Sequence, residues 1–204
     1  FVLLSVYLIE RNAPPWGAGL ALGMSCNIKI WPILLFPVLL FYLPGARKRI
    51  EYFAAAGVIF VLASLPFLGQ DPVFILKRLL SYRSIYGHWG VSGVISGLIK
   101  VTGSFHWLHS IFGRIGRYLV IGVTISASLW MNRISPKPPL FLQCGLAAFV
   151  FMAGTPGFGV QYLAWLVPWV VAIGAGPALL FYTTSGVFLF LVYTFWSRGF
   201  PWYL

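Results

Sequence analysis

Acidic side chains are almost missing from this sequence: Glu10, Glu51 and Asp71 are the only three in 204 residues. Charge of either sign is scarce, at 8% of residues, where a soluble domain carries about a quarter. So little charge cannot cover a surface that faces water, which excludes a soluble globular enzyme. Metal and redox chemistry lack the residues they require. The two cysteines, Cys26 and Cys144, and the three histidines show no ligand spacing, and cysteine inside an apolar run packs as a small hydrophobe. A glycine-rich dinucleotide fingerprint and a phosphate loop are both missing. No metal or other cofactor is therefore expected. Strict apolar–polar alternation is also absent, which excludes a transmembrane β-barrel.

Apolar sequence is what the chain has in quantity, at 60% of residues, and several runs reach or approach the roughly 20 residues of a spanning helix. These features predict an all-α, polytopic transmembrane helix bundle. It forms one transmembrane domain over 1–204, within which 71–117 is an extracytoplasmic or interfacial basic region. Expected spans are Tyr52–Leu68, Tyr118–Met131, Leu140–Gly154, Tyr162–Gly174 and Ala178–Trp196, the last two joined by a Gly174-Ala175-Gly176-Pro177 turn. Val73–Arg83 carries basic residues on one side of an apolar helix. That pattern suits a helix lying in the interface and equally a short helix in a basic loop. Phe1–Ile9 is apolar from the start, with no methionine and no charged leader, so the chain reads as the C-terminal portion of a longer protein. The net charge of +11 falls at helix ends. Anionic membrane lipids, and not nucleic acid, are therefore the expected charged partners.

Between Arg11 and Arg47 the only charged residue is Lys29. A lysine at membrane depth costs roughly 2.5–3.5 kcal/mol on insertion scales unless it reaches the interface or finds a partner. It is thus either an intramembrane site or a snorkelling anchor. The run Ala13–Leu43 is read as two shorter helices that meet near Lys29 and break at Pro32, a hairpin with both flanks on the same side.

Two segments carry a family resemblance. In the first, Gly19-Leu20-Ala21-Leu22-Gly23 leads to Lys29-Ile30-Trp31-Pro32-Ile33 and Leu34-Leu35-Phe36-Pro37. The second is Phe158-Gly159-Val160-Gln161-Tyr162-Leu163-Ala164-Trp165-Leu166-Val167-Pro168. Together they resemble the lysine-plus-proline helix and the Gln-Tyr-x-x-Trp-x-x-Pro segment of glycosyltransferase-C membrane enzymes. The nearest type is the polyprenyl-phosphate-dependent mannosyltransferases, bacterial integral-membrane members and the GPI mannosyltransferase among them. The rest of the chain matches that family only in hydropathy. The resemblance implies transfer of a hexose, mannose or a relative, from a polyprenyl-phosphate-linked donor to an unidentified acceptor. The active site would face the extracytoplasmic side of a cell or inner membrane. Lys29 would clamp the donor phosphate with help from Arg83 and His88, and Gln161, Tyr162 and Trp165 would bind substrate. Arg83 and His88 fit interfacial anchoring beside Tyr82, Tyr86 and Trp89 better than a place at the phosphate, and tyrosine and tryptophan populate membrane interfaces without any ligand.

Such a transfer uses a carboxylate to take the acceptor's proton. Glu10 and Glu51 are expected to pair with Arg11 and Arg49 on the inner side. Asp71 is on the outer side, but Asp71-Pro72 is also an ordinary helix start. In the family the essential acid lies in the first outer loop, which would precede Phe1. No catalytic base is therefore assigned, Asp71 being the one residue here that could serve, and this stretch alone is expected to be inactive. Charge does not orient the bundle: Arg11, Arg47, Lys48, Arg49, Arg133 and Lys137 on one side balance the basic residues of the other. Two other classes stay open. One is a secondary transporter or flippase for an anionic or lipid-linked solute, with Lys29 as counter-charge at a broken helix. The other is a non-catalytic membrane subunit. No internal repeat favours the transporter.

Overall fold

The run between Arg11 and Arg47 folds as a broken hairpin with Lys29 at its apex. In the computed structural model, which describes residues 1–69, 71–74, 77, 85–87 and 90–199, helix α1 (Val2–Glu10) turns into α2 (Pro15–Ile28). Proline at the first position of α2 sacrifices no hydrogen bond, because that N–H has no partner in any helix. Lys29 is extended, at φ −155° and ψ 133°, and ends α2. Pro32 explains the stop: it has no N–H to offer the carbonyl of Ile28, four residues back, and its ring would clash there. A 3-10 turn, Trp31–Leu35, then reverses the chain into α3 (Phe36–Tyr42).

The other elements are α4 (Ala46–Leu68), α5 (Gly90–Thr102), α6 (His106–Met131), α7 (Leu140–Gly154), a 3-10 turn at Val160–Tyr162, α8 (Leu163–Ile173) and α9 (Ala175–Ser197). A two-residue ladder joins β1 (Ile85–Tyr86) antiparallel to β2 (Gly157–Phe158), with Ile85 opposite Phe158. The described fold is otherwise all-α.

Specific contacts fix the direction of each helix. Gly19 of α2 lies against Tyr52 and Ala55 of α4, and Gly23 against Ala56 and Ile59, so α2 and α4 run parallel. Asn27 continues the seam, accepting a hydrogen bond from Ser64 at 3.1 Å. Ser5 Oγ donates to the Ala18 carbonyl at 2.8 Å and lies 3.2 Å from Tyr52 Oη, tying α1 into the same group. Such interhelical bonds in membrane proteins contribute about 0.6 kcal/mol each. Gly154 meets Val120 while Tyr86, paired with Gly157, meets Gly113, so α6 and α7 are antiparallel. Gly145 against Trp169 orders α7 and α8. The bundle therefore has two ends. One holds Lys29, Ser64, β1, β2 and the start of α8; the other holds Glu10, Tyr42, Arg49 and Lys137.

The buried core lies where α1, α2, α3, α7 and α8 meet, around Leu22, Leu35, Val38, Leu39, Tyr52, Leu140, Cys144 and Trp169. Cys26 and Cys144 are both buried and unpaired, as packing residues should be. Among the described residues two helices are long and apolar enough to cross a membrane, Ala46–Phe67 with mean hydropathy 1.8 and Ala175–Ser197 with 1.7. Only 11% of the first window and none of the second is buried, whereas the core helix of a soluble protein is mostly buried.

Helix lengths differ from expectation at their polar ends. Helix α4 starts at Ala46 instead of Tyr52, because Arg47 and Glu51 pair at 3.0 Å one turn apart and extend it. Helix α6 starts at His106, taking in Arg114 and Arg117 ahead of the apolar Tyr118–Met131 stretch. Helix α9 starts at Ala175, leaving Gly174, at φ 142°, as the turn residue. The acid partners also change. Glu51 pairs with Arg47 and not Arg49, whose Nε donates to the Leu43 carbonyl at 2.9 Å. Glu10 accepts the N–H of Phe141 at 3.2 Å, capping α7, while Arg11 stacks over Tyr7. Most of Val73–Arg83 lies outside the described residues; 72–74 are helical.

Candidate functional site

The two segments set apart in the sequence meet at the apex of the hairpin. Lys29 leaves the end of α2 with its N–H donating to the Ser25 carbonyl at 3.0 Å. Its side chain is exposed and reaches over two rings of the second segment. Nζ lies 5.2 Å from the centroid of Trp165 and 5.7 Å from that of Tyr162. Trp165 in turn stacks with two other rings. Trp31 faces it at 4.8 Å with 9° between the planes, and Tyr162 at 4.3 Å with 25°. The local folds produce this arrangement. The break after Ile28 frees Lys29 and Trp31 from the helix, and the 3-10 turn at Val160–Tyr162 presents Tyr162 and Trp165 one turn apart at the mouth of α8.

Beside the stack is a cavity of about 320 Å³, lined by Phe1, Ile28, Lys29, Trp31, Pro32 and Trp165 among others. Its walls are apolar and aromatic, with the Ser25 hydroxyl and the ammonium as polar groups. Ser25 Oγ donates to the Leu22 carbonyl at 2.6 Å, which leaves its lone pairs to accept. Among the described residues Lys29 has no ion-pair partner; Arg47–Glu51 is the one ion pair found there. Ring faces attract an ammonium by roughly 0.5–2 kcal/mol, yet they carry no net charge. They hold the cation in place and leave its full charge available to an anion.

The other candidates separate from this centre to different degrees. Gln161 is exposed, and its amide folds back over Gly159, where an added Cβ would come within 2.8 Å of Oε1. Asp71 lies at the Lys29 end, beyond α4, and its Oδ1 accepts the N–H of Phe74 at 2.9 Å. It therefore caps a helix start, the ordinary role of aspartate before proline. Arg83 and His88 lie outside the described residues. Glu10 and Glu51 are at the opposite end. No group of His, Cys, Asp and Glu among the described residues is arranged to hold a metal ion.

Two features escaped the sequence reading. Trp31 passed as filler within the lysine–proline segment, although a tryptophan two residues from an isolated lysine in an apolar run was the signal. Gly19 and Gly23 form a Gly-x-x-x-Gly pair, the spacing that lets two membrane helices approach closely, and they seat α2 on α4. Compared with known proteins, the chain matches no family model, no curated protein and no solved structure.

Proposed function

We propose that this chain is part of a multi-pass membrane glycosyltransferase that moves a hexose, mannose or a relative, from a polyprenyl-phosphate donor to an extracytoplasmic acceptor. The observation that carries the reading is the convergence of Lys29, Trp31 and Trp165 on one cavity, with Tyr162 packed behind them against Trp165 and within reach of the ammonium. When the glycosidic bond breaks, its electron pair stays on the phosphate oxygen, and a phosphodiester becomes a phosphomonoester with one more negative charge. An ammonium already in place stabilises that developing charge more than the ground state. For unit charges about 4 Å apart at an effective dielectric constant of about 20, the attraction is about 4 kcal/mol. The aromatic stack offers a flat apolar wall for a sugar ring or for the first isoprene units.

Membrane embedding rests on exposure. Large apolar side chains crowd the outside of the bundle, among them Leu179, Leu180, Val187, Leu191 and Phe195 on α9, which buries none of its residues. Water would not tolerate an apolar surface of this extent. Labelling tests the orientation with little background, because both native cysteines are buried. Val101→Cys, on the Lys29 side, is expected to react with an impermeant maleimide on intact cells. Lys48→Cys is expected to react only after permeabilisation. The reverse pattern would put the Lys29 cavity on the cytoplasmic side.

Transfer itself is tested in membranes supplied with a radiolabelled polyprenyl-phosphate hexose. Trp165→Ala removes two ring stacks and one cation–ring contact, each of which is worth about 0.5–1.5 kcal/mol. Donor use should fall by roughly tenfold or more, and Trp165→Phe should recover most of it. Unchanged donor use in Trp165→Ala would return the stack to a packing role.

A further inference from the structure

We propose that Arg49 and Lys137, at the end of the bundle opposite Lys29, form a seat for the phosphate of an anionic phospholipid headgroup. The inference rests on the membrane reading and not on sugar transfer. It begins with an uncapped helix end. Helix α3 stops at Tyr42, and Leu43 leaves it in an extended conformation, so the last carbonyls lack helical partners. Two cations from different parts of the chain take up consecutive carbonyls. Lys137 Nζ donates to the Tyr42 carbonyl at 3.1 Å and lies 3.9 Å from the centre of the Tyr42 ring. Arg49 Nε donates to the Leu43 carbonyl at 2.9 Å, and its guanidinium lies over Phe41.

Helix-end carbonyls carry only about half an elementary charge, so two full positive charges are not cancelled there. Nearby carboxylates offset them only in part: the Glu10 charge reaches Tyr42, yet Glu10 and Glu51 face six basic residues at this end, Arg11, Arg47, Lys48, Arg49, Arg133 and Lys137. Glu51 is engaged by Arg47 at 3.0 Å, and Glu10 accepts the Phe141 N–H. Neither forms an ion pair with Arg49 or Lys137 among the described residues. The two cations feel each other: burial first, and then the neighbouring Arg49 charge, pull the Lys137 ammonium below the ordinary lysine value. Each contributes one N–H to a carbonyl and keeps others for a ligand. With Arg11, Lys48 and Arg133 also at this end, the local field attracts anions. The flanking rings of Phe41 and Tyr42 are apolar, so the seat lies where a bilayer-anchored phosphate sits beside acyl chains. That favours a lipid headgroup over a soluble phosphate. Basic pockets between helices, just beyond the hydrocarbon, are where such headgroups bind.

The test is native mass spectrometry of the whole chain released from micelles doped with dioleoyl phosphatidylglycerol or dioleoyl phosphatidylcholine. The wild type is expected to retain phosphatidylglycerol over phosphatidylcholine by roughly tenfold, and Arg49→Gln with Lys137→Gln to lose most of that preference. Arg49→Lys with Lys137→Arg should keep it, which separates loss of charge from loss of fold. Addition of inorganic phosphate should not displace the lipid; displacement would make this a site for free anions and overturn the lipid assignment. Equal retention of the two lipids by the wild type, or an unchanged preference in the double glutamine variant, would also overturn it. Alkaline carbonate extraction keeps the two readings apart. Release of the chain into the soluble fraction would sink the membrane reading, whereas a membrane-retained chain without lipid preference would sink only the seat.

Discussion

Replacing Lys29 with alanine in the intact protein is expected to lower sugar transfer by about 100-fold or more while leaving membrane insertion unchanged. The magnitude follows from what one well-placed donor for developing charge contributes to a transition state, about 2.7–4 kcal/mol. The direction follows from timing. The phosphate gains its extra charge as the glycosidic bond breaks, so the ammonium interacts more strongly with the transition state than with the bound donor. The loss should therefore fall mainly on kcat, with a smaller change in KM. Lys29→Arg keeps the charge and the cation–ring contact but spreads the charge over a planar fork, and should recover part of the rate. Insertion should survive because the Lys29 side chain is exposed and makes no hydrogen bond or ion pair among the described residues. Steady-state transfer rates in isolated membranes, normalised to the amount of inserted protein, decide the matter. Full activity in Lys29→Ala would identify the lysine as an interfacial anchor and remove the phosphate clamp.

The hairpin break was legible because two local rules agree at one place. An isolated charge in an apolar run marks a site or an interface, and a proline three residues later removes the hydrogen bond that would carry a helix past it. Helix α7 came out at Leu140–Gly154 because prolines precede it and Thr155-Pro156-Gly157 follows, both of them chain-intrinsic stops. The starts of α4 and α6 were not legible. Charged residues there read as loop, but Arg47 and Glu51 satisfy one another on a helix surface, and so the helix continues into the polar zone. Acid pairings failed for a related reason. Nearest neighbours in sequence were assumed, whereas Glu10 finds the unpartnered N–H of Phe141, which lies far off in sequence at the start of α7. The approach of Lys29 to Tyr162 and Trp165 is a tertiary event without periodic signature.

The same substitution at two glycines should have opposite effects, and the contrast tests whether α2 is held against α4 as described. At Gly23 an added Cβ would collide with the Ala56 carbonyl and with Ile59 Cγ2. Backbone cannot yield as a side-chain tip can, so α2 and α4 must separate. Overpacking of this kind costs about 1–3 kcal/mol. At Gly57, also on α4, an added Cβ meets nothing within 4 Å. There alanine only reduces the freedom of the unfolded chain, a gain of roughly 0.4–1 kcal/mol. Thermal melts of the detergent-solubilised protein should therefore show Gly23→Ala below wild type and Gly57→Ala at or above it. The effect should reach the site as well. Gly23 is less than two turns from Lys29, and a shift of the α2 end carries the ammonium away from the Trp165 and Tyr162 rings. Gly23→Ala should lose transfer activity along with stability, whereas Gly57→Ala should keep both. Equal melting temperatures for the two variants would mean that α2 and α4 do not approach through Gly23, and the position of Lys29 would have to be fixed by the aromatic stack alone.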